Sequence, residues 1–248
     1  MNIVLFSKDE INKPLLLTDS RAKHILNILH KKEDDCFEAG ILNEYAGIAT
    51  IKKITDKELF FDFQQTWDGG KLHPLIMIIG FPRPIQLKRL LRDIASLGVQ
   101  EVHLVGTELG EKSYLKSNLA EHDVAYEMLK DGSIQAKSCH VPDLFIHQTL
   151  NHGLIFLKEK NNAIKIGLDN IKAEGSILYH PNFSESSNSI YEKNVIAAIG
   201  SERGWTDKER ELLIKNGFSL RSMGNRVLRT ETAATTAVAL ILSKMGVI

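Results

Sequence analysis

Two arginines three residues apart, Arg226 and Arg229, precede Glu231 and a run of small residues in the stretch MGNRVLRTETAATTAVALIL. Arginine presents a planar fork of donors that pairs with phosphate or carboxylate, so this spacing suits an anionic or polar substrate. Glu231 opens a helix whose first turns carry Ala233, Ala234, Thr235, Thr236 and Ala237, small enough to admit another backbone or a ligand. A carboxylate at that point can orient an arginine, receive a proton or balance the helix dipole. A second candidate lies upstream, in VIAAIGSERGWTDKERELLIKNGF. There an apolar strand ends at Gly200, a loop SERG follows, and Thr206 with Glu209 forms the T-x-x-E of a capping box, closed at Gly217. Ligands in open α/β sheets bind beyond the carboxyl ends of strands, and both glycine-bearing loops fall at such ends. Each feature also has a plain alternative, surface arginines in one case and a tight strand-to-helix turn in the other.

The elements that hold these residues follow from the hydrophobic pattern. Residues 1–70 alternate short apolar runs with turn signals, which predicts strands, after one helix in TDSRAKHILNILHKK with Thr18 or Asp19 as its cap. A turn-rich junction, TWDGGKLHP (66–74), marks a boundary. Beyond it LIMIIGF (75–81) is a continuous apolar run, as a buried parallel strand requires. IQLKRLLRDIASLG (85–98) places Leu87, Leu90, Leu91, Ile94 and Ala95 on one helical face and Lys88, Arg89 and Arg92 on the other. VQEVHLVG is a further strand, 117–137 a longer helical region, and VPDLFIHQ, NAIKIGL, SILYHP and FSLR further short apolar runs. The alternation predicts an α/β layer on a mostly parallel sheet. The polar stretch 182–194 reads as a mobile surface loop.

Composition narrows the partners. Of 248 residues, 31 are Lys or Arg and 31 Asp or Glu, so bulk charge does not draw this chain to nucleic acid and any basic patch must be local. Cys36 and Cys139 form no metal or disulfide pattern, so no metal is expected. The N-terminus has no cleavable leader pattern and no run reaches the ~20 apolar residues of a membrane helix, so a cytoplasmic protein with no membrane partner is expected.

The stretch AIGSERGWTDKERELLIKNGFSLRSMGNRVLRTETAATTA resembles the C-terminal pattern of the RsmE family, IGPEGGFS-x-x-E, then GF, then LG-x-RILR-x-ETA. DSRAKHILNILH is similar to the family's early D-x-x-x-KHI-x-x-VLR, and FPRP with KRLLRDIASLGVQEV to its helix ending in ELGV. Gln135 with Val141 and Pro142 falls where the family has EQ and VP. The resemblance implies an S-adenosyl-L-methionine-dependent methyltransferase acting on N3 of a uridine in 16S ribosomal RNA of the small ribosomal subunit. It implies a SPOUT-type trefoil-knotted α/β methyltransferase domain over 71–248, preceded by a small PUA-like RNA-binding β-barrel domain over 1–70, and a homodimer.

Carried over position by position, the resemblance assigns cofactor binding to Ile199, Gly200, Glu202, Gly204, Ser222, Met223, Gly224, Val227, Leu228 and Thr232. His180 and Pro181 are expected to add the end of a third strand to that site. Arg229 is the candidate for stabilising the uracil anion, Glu231 its catalytic partner, and Arg83, Lys88, Arg89 and Arg226 the RNA contacts. The chain departs from the pattern at His30, Ser96, Ile134, Ser138, His140, Ser201 and Arg203. These departures fall more on RNA-facing positions than on the cofactor site. They motivate an alternative, a divergent paralogue that binds RNA or assembling ribosomes without turnover, or methylates another RNA. A dinucleotide-binding enzyme is excluded, because the first strand of the α/β region runs into GFPRP rather than GxGxxG.

Overall fold

Strands buried on both faces need side chains that are apolar throughout, and the runs around Ile76, Val102 and Ile196 meet that demand. A computed structural model of the chain describes residues 2–118, 121–160, 162–183 and 194–248. These residues group into two units, Met1–Leu72 with Lys130–Val141, and His73–Leu129 with Pro142–Ile248.

The first unit is built on strands β1 (Val4–Phe6), β2 (Leu15–Leu16), β3 (Cys36–Ile41), β4 (Ala46–Ile54) and β5 (Glu58–Trp67), in the sheet order β1-β3-β4-β5-β2. Only the β1–β3 pair is parallel. Phe61 packs between Phe6 and Phe37, with ring centroids 5.0 and 5.8 Å away. Helix α1 (Ser20–Lys23) is capped by the Asp19 side chain and passes into a five-residue π-helix, His24–Ile28, rather than continuing as α-helix.

The second unit contains β6 (His73–Gly80), α2 (Pro84–Ser96), β7 (Val99–Val105), α3 (His122–Gln135), β8 (Asp143–His147), α4 (Leu150–Phe156), β9 (Ile164–Leu168), β10 (Val195–Ile199), α5 (Asp207–Lys215), β11 (Ser219–Arg221) and α6 (Thr230–Lys244), the last residues of α3 belonging to the first unit. Its six strands are all parallel, in the order β11-β9-β10-β6-β7-β8. On one face Ile76, Ile78, Ile196 and Ala198 pack with Leu150 and Leu154 of α4, Leu213 of α5, and Trp205. Met77 and Ile79 alternate to the opposite face, where α6 lies against β10 and α2 against α6. Leu87, Leu90, Leu91, Ile94 and Ala95 of α2 are all buried, as their spacing predicts. From β6 the chain builds one side of the sheet through β7 and β8, then crosses to build the other through β9, β10 and β11. The loops after the adjacent strands β6 and β10 therefore part at a topological switch point, where α/β sheets bind ligands.

SILYHP, expected as an apolar strand run, is instead two short 3-10 turns, Ile177–Tyr179 and Pro181–Phe183. The Ser176 hydroxyl accepts the Leu178 amide and starts the first turn, and proline at 181 has no amide to give to a sheet. Of the expected mobile loop, residues 184–193 lie outside the described residues. No helix among the described residues is long and apolar enough to cross a membrane.

Candidate active site

Three loops at the carboxyl ends of β9, β10 and β11 enclose a cleft of about 230 Å³. One wall is Leu168–Ile171 after β9, a second is Ile199–Trp205 after β10, and the third comes from Met223, Gly224 and Arg226–Leu228 after β11. Thr230 and Ala233 of α6 close it. The β10 loop turns back sharply, with the Gly204 amide donating to the Ser201 carbonyl at 2.8 Å. A Cβ on Gly200 would stand 2.8 Å from the Gly204 carbonyl carbon, so only glycine permits the fold-back. Gly224 has φ +115, and nothing lies within 4 Å of where its Cβ would be. Backbone is thus presented bare to the cleft, the arrangement by which main-chain amides and carbonyls reach a ligand.

Of the residues assigned to cofactor binding, Ile199, Gly200, Glu202, Gly204, Met223, Gly224, Val227 and Leu228 line this cleft. Arg226, assigned to RNA, lines it as well. Ser222 and Thr232 do not; the Ser222 amide donates to the Gly175 carbonyl at 2.8 Å, and Thr232 is solvent-exposed on the first turn of α6. The strand end expected at His180 and Pro181 is supplied instead by Leu168–Ile171. His180 is buried beside β11, with Nδ1 accepting the Asn182 amide at 3.3 Å and Nε2 facing the Ser219 hydroxyl at 2.7 Å. Because Nδ1 is an acceptor, Nε2 carries the proton and donates to Ser219. Burial and the charge on Arg221 lower the pKa of His180 below that of a free histidine, so it is a neutral structural residue. Sequence reasoning missed Asp169–Ile171 because β9 ends without a glycine loop to mark it. It missed Trp205 and Thr230 because one reads as core and the other as a cap.

The charges around the cleft are uneven. Arg203 and Arg226 line it, Arg229 immediately precedes the cleft-lining Thr230, and the Arg83 amide donates to Oε1 of the cleft-lining Glu202 at 2.8 Å across the switch point. None of these four guanidinium groups has a carboxylate partner among the described residues, whereas Arg21, Arg89, Arg210 and Arg221 all do. Arg229 sits at the N-cap of α6 and Glu231 in its first turn. Oε2 of Glu231 is shielded from solvent and has no hydrogen-bond partner among the described residues. Lys88 and Arg89 are exposed on α2, Arg89 lying 3.8 Å from Asp93, while Arg92 is partly buried.

Residues 70–242 match a family model described as an RNA methyltransferase domain. The ribosomal RNA small subunit methyltransferase E of Treponema pallidum is 38% identical, an alignment covering 98% of this chain and 91% of that protein. The ribosomal RNA small subunit methyltransferase E 1 of Borreliella burgdorferi is 34% identical, over 99% of both chains. The crystal structure of a ribosomal RNA small subunit methyltransferase E from Neisseria gonorrhoeae, bound to S-adenosyl methionine, superposes with a TM-score of 0.77 at 18% identity, covering 98% of this chain and 97% of that one. That likeness confirms the α/β methyltransferase fold. Matched by a domain model over most of its length and by relatives aligned almost end to end, the chain belongs to the RsmE family of RNA methyltransferases.

Proposed function

We propose that this protein transfers a methyl group from S-adenosyl-L-methionine to N3 of a uridine in 16S ribosomal RNA of the small ribosomal subunit. The observation that carries the reading is the three-loop cleft beyond β9, β10 and β11, with open backbone at Gly224 and, around it, arginines that have no carboxylate partner among the described residues. The lining fits the donor: Ile171, Ile199, Val227 and Leu228 offer apolar surface for an adenine, and the bare loops offer amides and carbonyls for its polar edges and the ribose. Once bound, S-adenosyl-L-methionine would supply an electrophilic methyl group on a sulfonium, the new N–C bond to the deprotonated uracil forming as the C–S bond breaks and S-adenosylhomocysteine departs.

What this chain must do is position and activate the acceptor. N3 of uridine carries a proton and is a poor nucleophile until that proton leaves, so the site has to favour the uracil anion. The Arg229 guanidinium, at the start of α6 and without a carboxylate partner among the described residues, stabilises the negative charge that spreads onto O2 or O4. Glu231, whose Oε2 has no partner among the described residues, receives the N3 proton or orients Arg229. Arg83 and Arg226, with Lys88 and Arg89, take the RNA backbone as a local basic face on a chain of zero net charge. The active form is a homodimer in the cytoplasm; Ile85 and Val227, 83% and 79% exposed, offer apolar surface to a second copy.

Titration of S-adenosyl-L-methionine into the protein tests the site directly. Wild type should bind it. Gly224→Val should abolish detectable binding, because it strains a left-handed backbone and fills the open side of the cleft. Equal binding by the variant would move the donor elsewhere.

A further inference from the structure

Asp169 is a charged residue shut into the second unit, its side chain only 1% exposed, at a place where the cleft wall turns away from the sheet. Both of its oxygens are engaged. Oδ1 accepts the amides of Ile171 at 2.5 Å and Lys172 at 3.2 Å, which folds residues 169–172 into a tight turn. Oδ2 accepts Nε of Arg210, whose own side chain is 7% exposed. Arg210 reaches on through Nη1 to Asp207 at 2.9 Å, and Asp207 also receives Lys172 Nζ at 2.9 Å. The four charges thus form a loop that returns to the turn it begins from. One residue earlier, the Leu168 carbonyl accepts the buried Trp205 Nε1 at 3.1 Å. The segment that follows β10 therefore grips the end of β9 twice, once from the cleft loop and once from α5.

Beyond the buried Leu168 and Asp169, the outer half of the wall, Asn170 and Ile171, has little packing of its own. Ile171 lines the cleft yet is 70% exposed, so apolar burial does not fix its place. A buried ion pair is a costly way to stabilise a fold, since well-packed apolar residues of the same volume often do as well or better. What the Asp169–Arg210 pair offers is direction: a planar guanidinium and a carboxylate set the distance and angle between the loop after β9 and helix α5. We propose that Asp169 and Arg210 are positioning residues for the methyl donor, their buried pair holding the Leu168–Ile171 wall to α5, the helix that follows the β10 loop, so that the cleft is formed before the donor arrives. Preorganisation of this kind removes a loop-ordering cost from binding. The inference rests on the reading of the cleft as the S-adenosyl-L-methionine site.

The test uses the full chain and S-adenosyl-L-methionine itself as probe, with far-UV dichroism and a thermal melt to verify that each variant is folded. Asp169→Asn keeps the oxygen that accepts the Ile171 and Lys172 amides but removes the charge that Arg210 needs. It should weaken donor binding about tenfold or more and raise the KM for donor to match, while kcat at saturating donor and the KM for RNA change far less. Arg210→Lys retains the charge without the fork and should fall between the two. Folded Asp169→Asn protein with wild-type donor affinity overturns the inference, as does a variant that loses kcat with an unchanged KM for donor. Should Asp169→Asn fail to fold, Arg210→Lys decides in its place, and wild-type donor affinity in that variant overturns the inference. Absence of donor binding by the wild-type protein would instead overturn the reading of the cleft.

Discussion

Arg21 and Arg229 mark the two uses this chain makes of arginine. Arg21 forks onto Glu10 at 2.9 and 3.0 Å and onto Asp19 at 2.8 and 3.1 Å, and stacks 5.1 Å over the ring of Phe6. Its hydrogen bonds hold the Glu10 carboxyl down to about 2. It is fully engaged in the fold and has nothing left for a ligand. Arg229 has no carboxylate partner among the described residues and stands at the start of α6, immediately before the cleft-lining Thr230; in the proposed reaction it is kept for the substrate. Arg229→Ala should lower methyl transfer about 10²–10³-fold, the usual loss when one charge-stabilising group is removed. Donor affinity should stay within about tenfold, as measured by titration of the same protein. Sequence drew attention to this residue because arginines, glycines and a carboxylate crowd into one short stretch. It misled at His180, where a His-Pro pair beside an apolar run looked like a strand end, and the hydrogen bonds to Asn182 and Ser219 show a residue spent on structure.

Helices were the most legible elements, because period and caps agree. The Thr206 hydroxyl accepts the Glu209 amide at 3.2 Å and the Glu209 carboxylate accepts the Thr206 amide at 2.9 Å, the reciprocal box that T-x-x-E encodes. The Glu209 carboxylate also accepts the Glu108 amide at 2.9 Å, tying the loop after β7 to α5. Thr206→Ala should therefore cost about 1 kcal/mol of stability, read as a shift in the denaturant midpoint with unchanged slope. The small residues of α6 serve within the chain: Ala234 and Ala237 are fully buried, and Ala233 faces the cleft. Two elements were not legible. Nothing in HILNI announces that α1 widens into a π-helix at His24, with the Leu29 amide reaching the His24 carbonyl at 2.9 Å. The wall after β9 depends on Arg210, forty-one residues further on, and such pairing leaves no local trace.

At the scale of the molecule, alternating short runs give way to continuous apolar runs at the junction 66–74, and Leu72, the last residue of the first unit's opening stretch, lies within it; one unit is built on a mixed sheet and the other on a parallel sheet. The return of Lys130–Val141 to the first unit was not legible, since it rests on contacts far apart in sequence, such as the Asn43 amide on the Cys139 carbonyl at 2.8 Å. The edge of the parallel sheet carries a pH dependence. His147 lies beside His103, with their ring nitrogens 2.9 Å apart, and burial, with the charges of His103 and His152, lowers its pKa to about 4. The unfolded chain, near the ordinary value of 6.5, binds that proton more readily than the folded one. The contribution of neutral His147 is therefore complete above pH 6.5 and is lost as pH falls toward 4. Thermal midpoints followed across that window should fall more steeply for wild type than for His147→Gln; parallel curves would contradict the assignment.

The proposed reaction is measured most directly as methyl transfer from labelled S-adenosyl-L-methionine to small ribosomal subunits that lack the modification, followed by nucleoside analysis. Labelled 3-methyluridine formed by the wild-type protein and lost with Arg229→Ala is the result predicted here. Donor binding without labelled nucleoside, on subunits and on free ribosomal RNA alike, would contradict it and leave an RNA-binding protein that keeps the fold without the turnover.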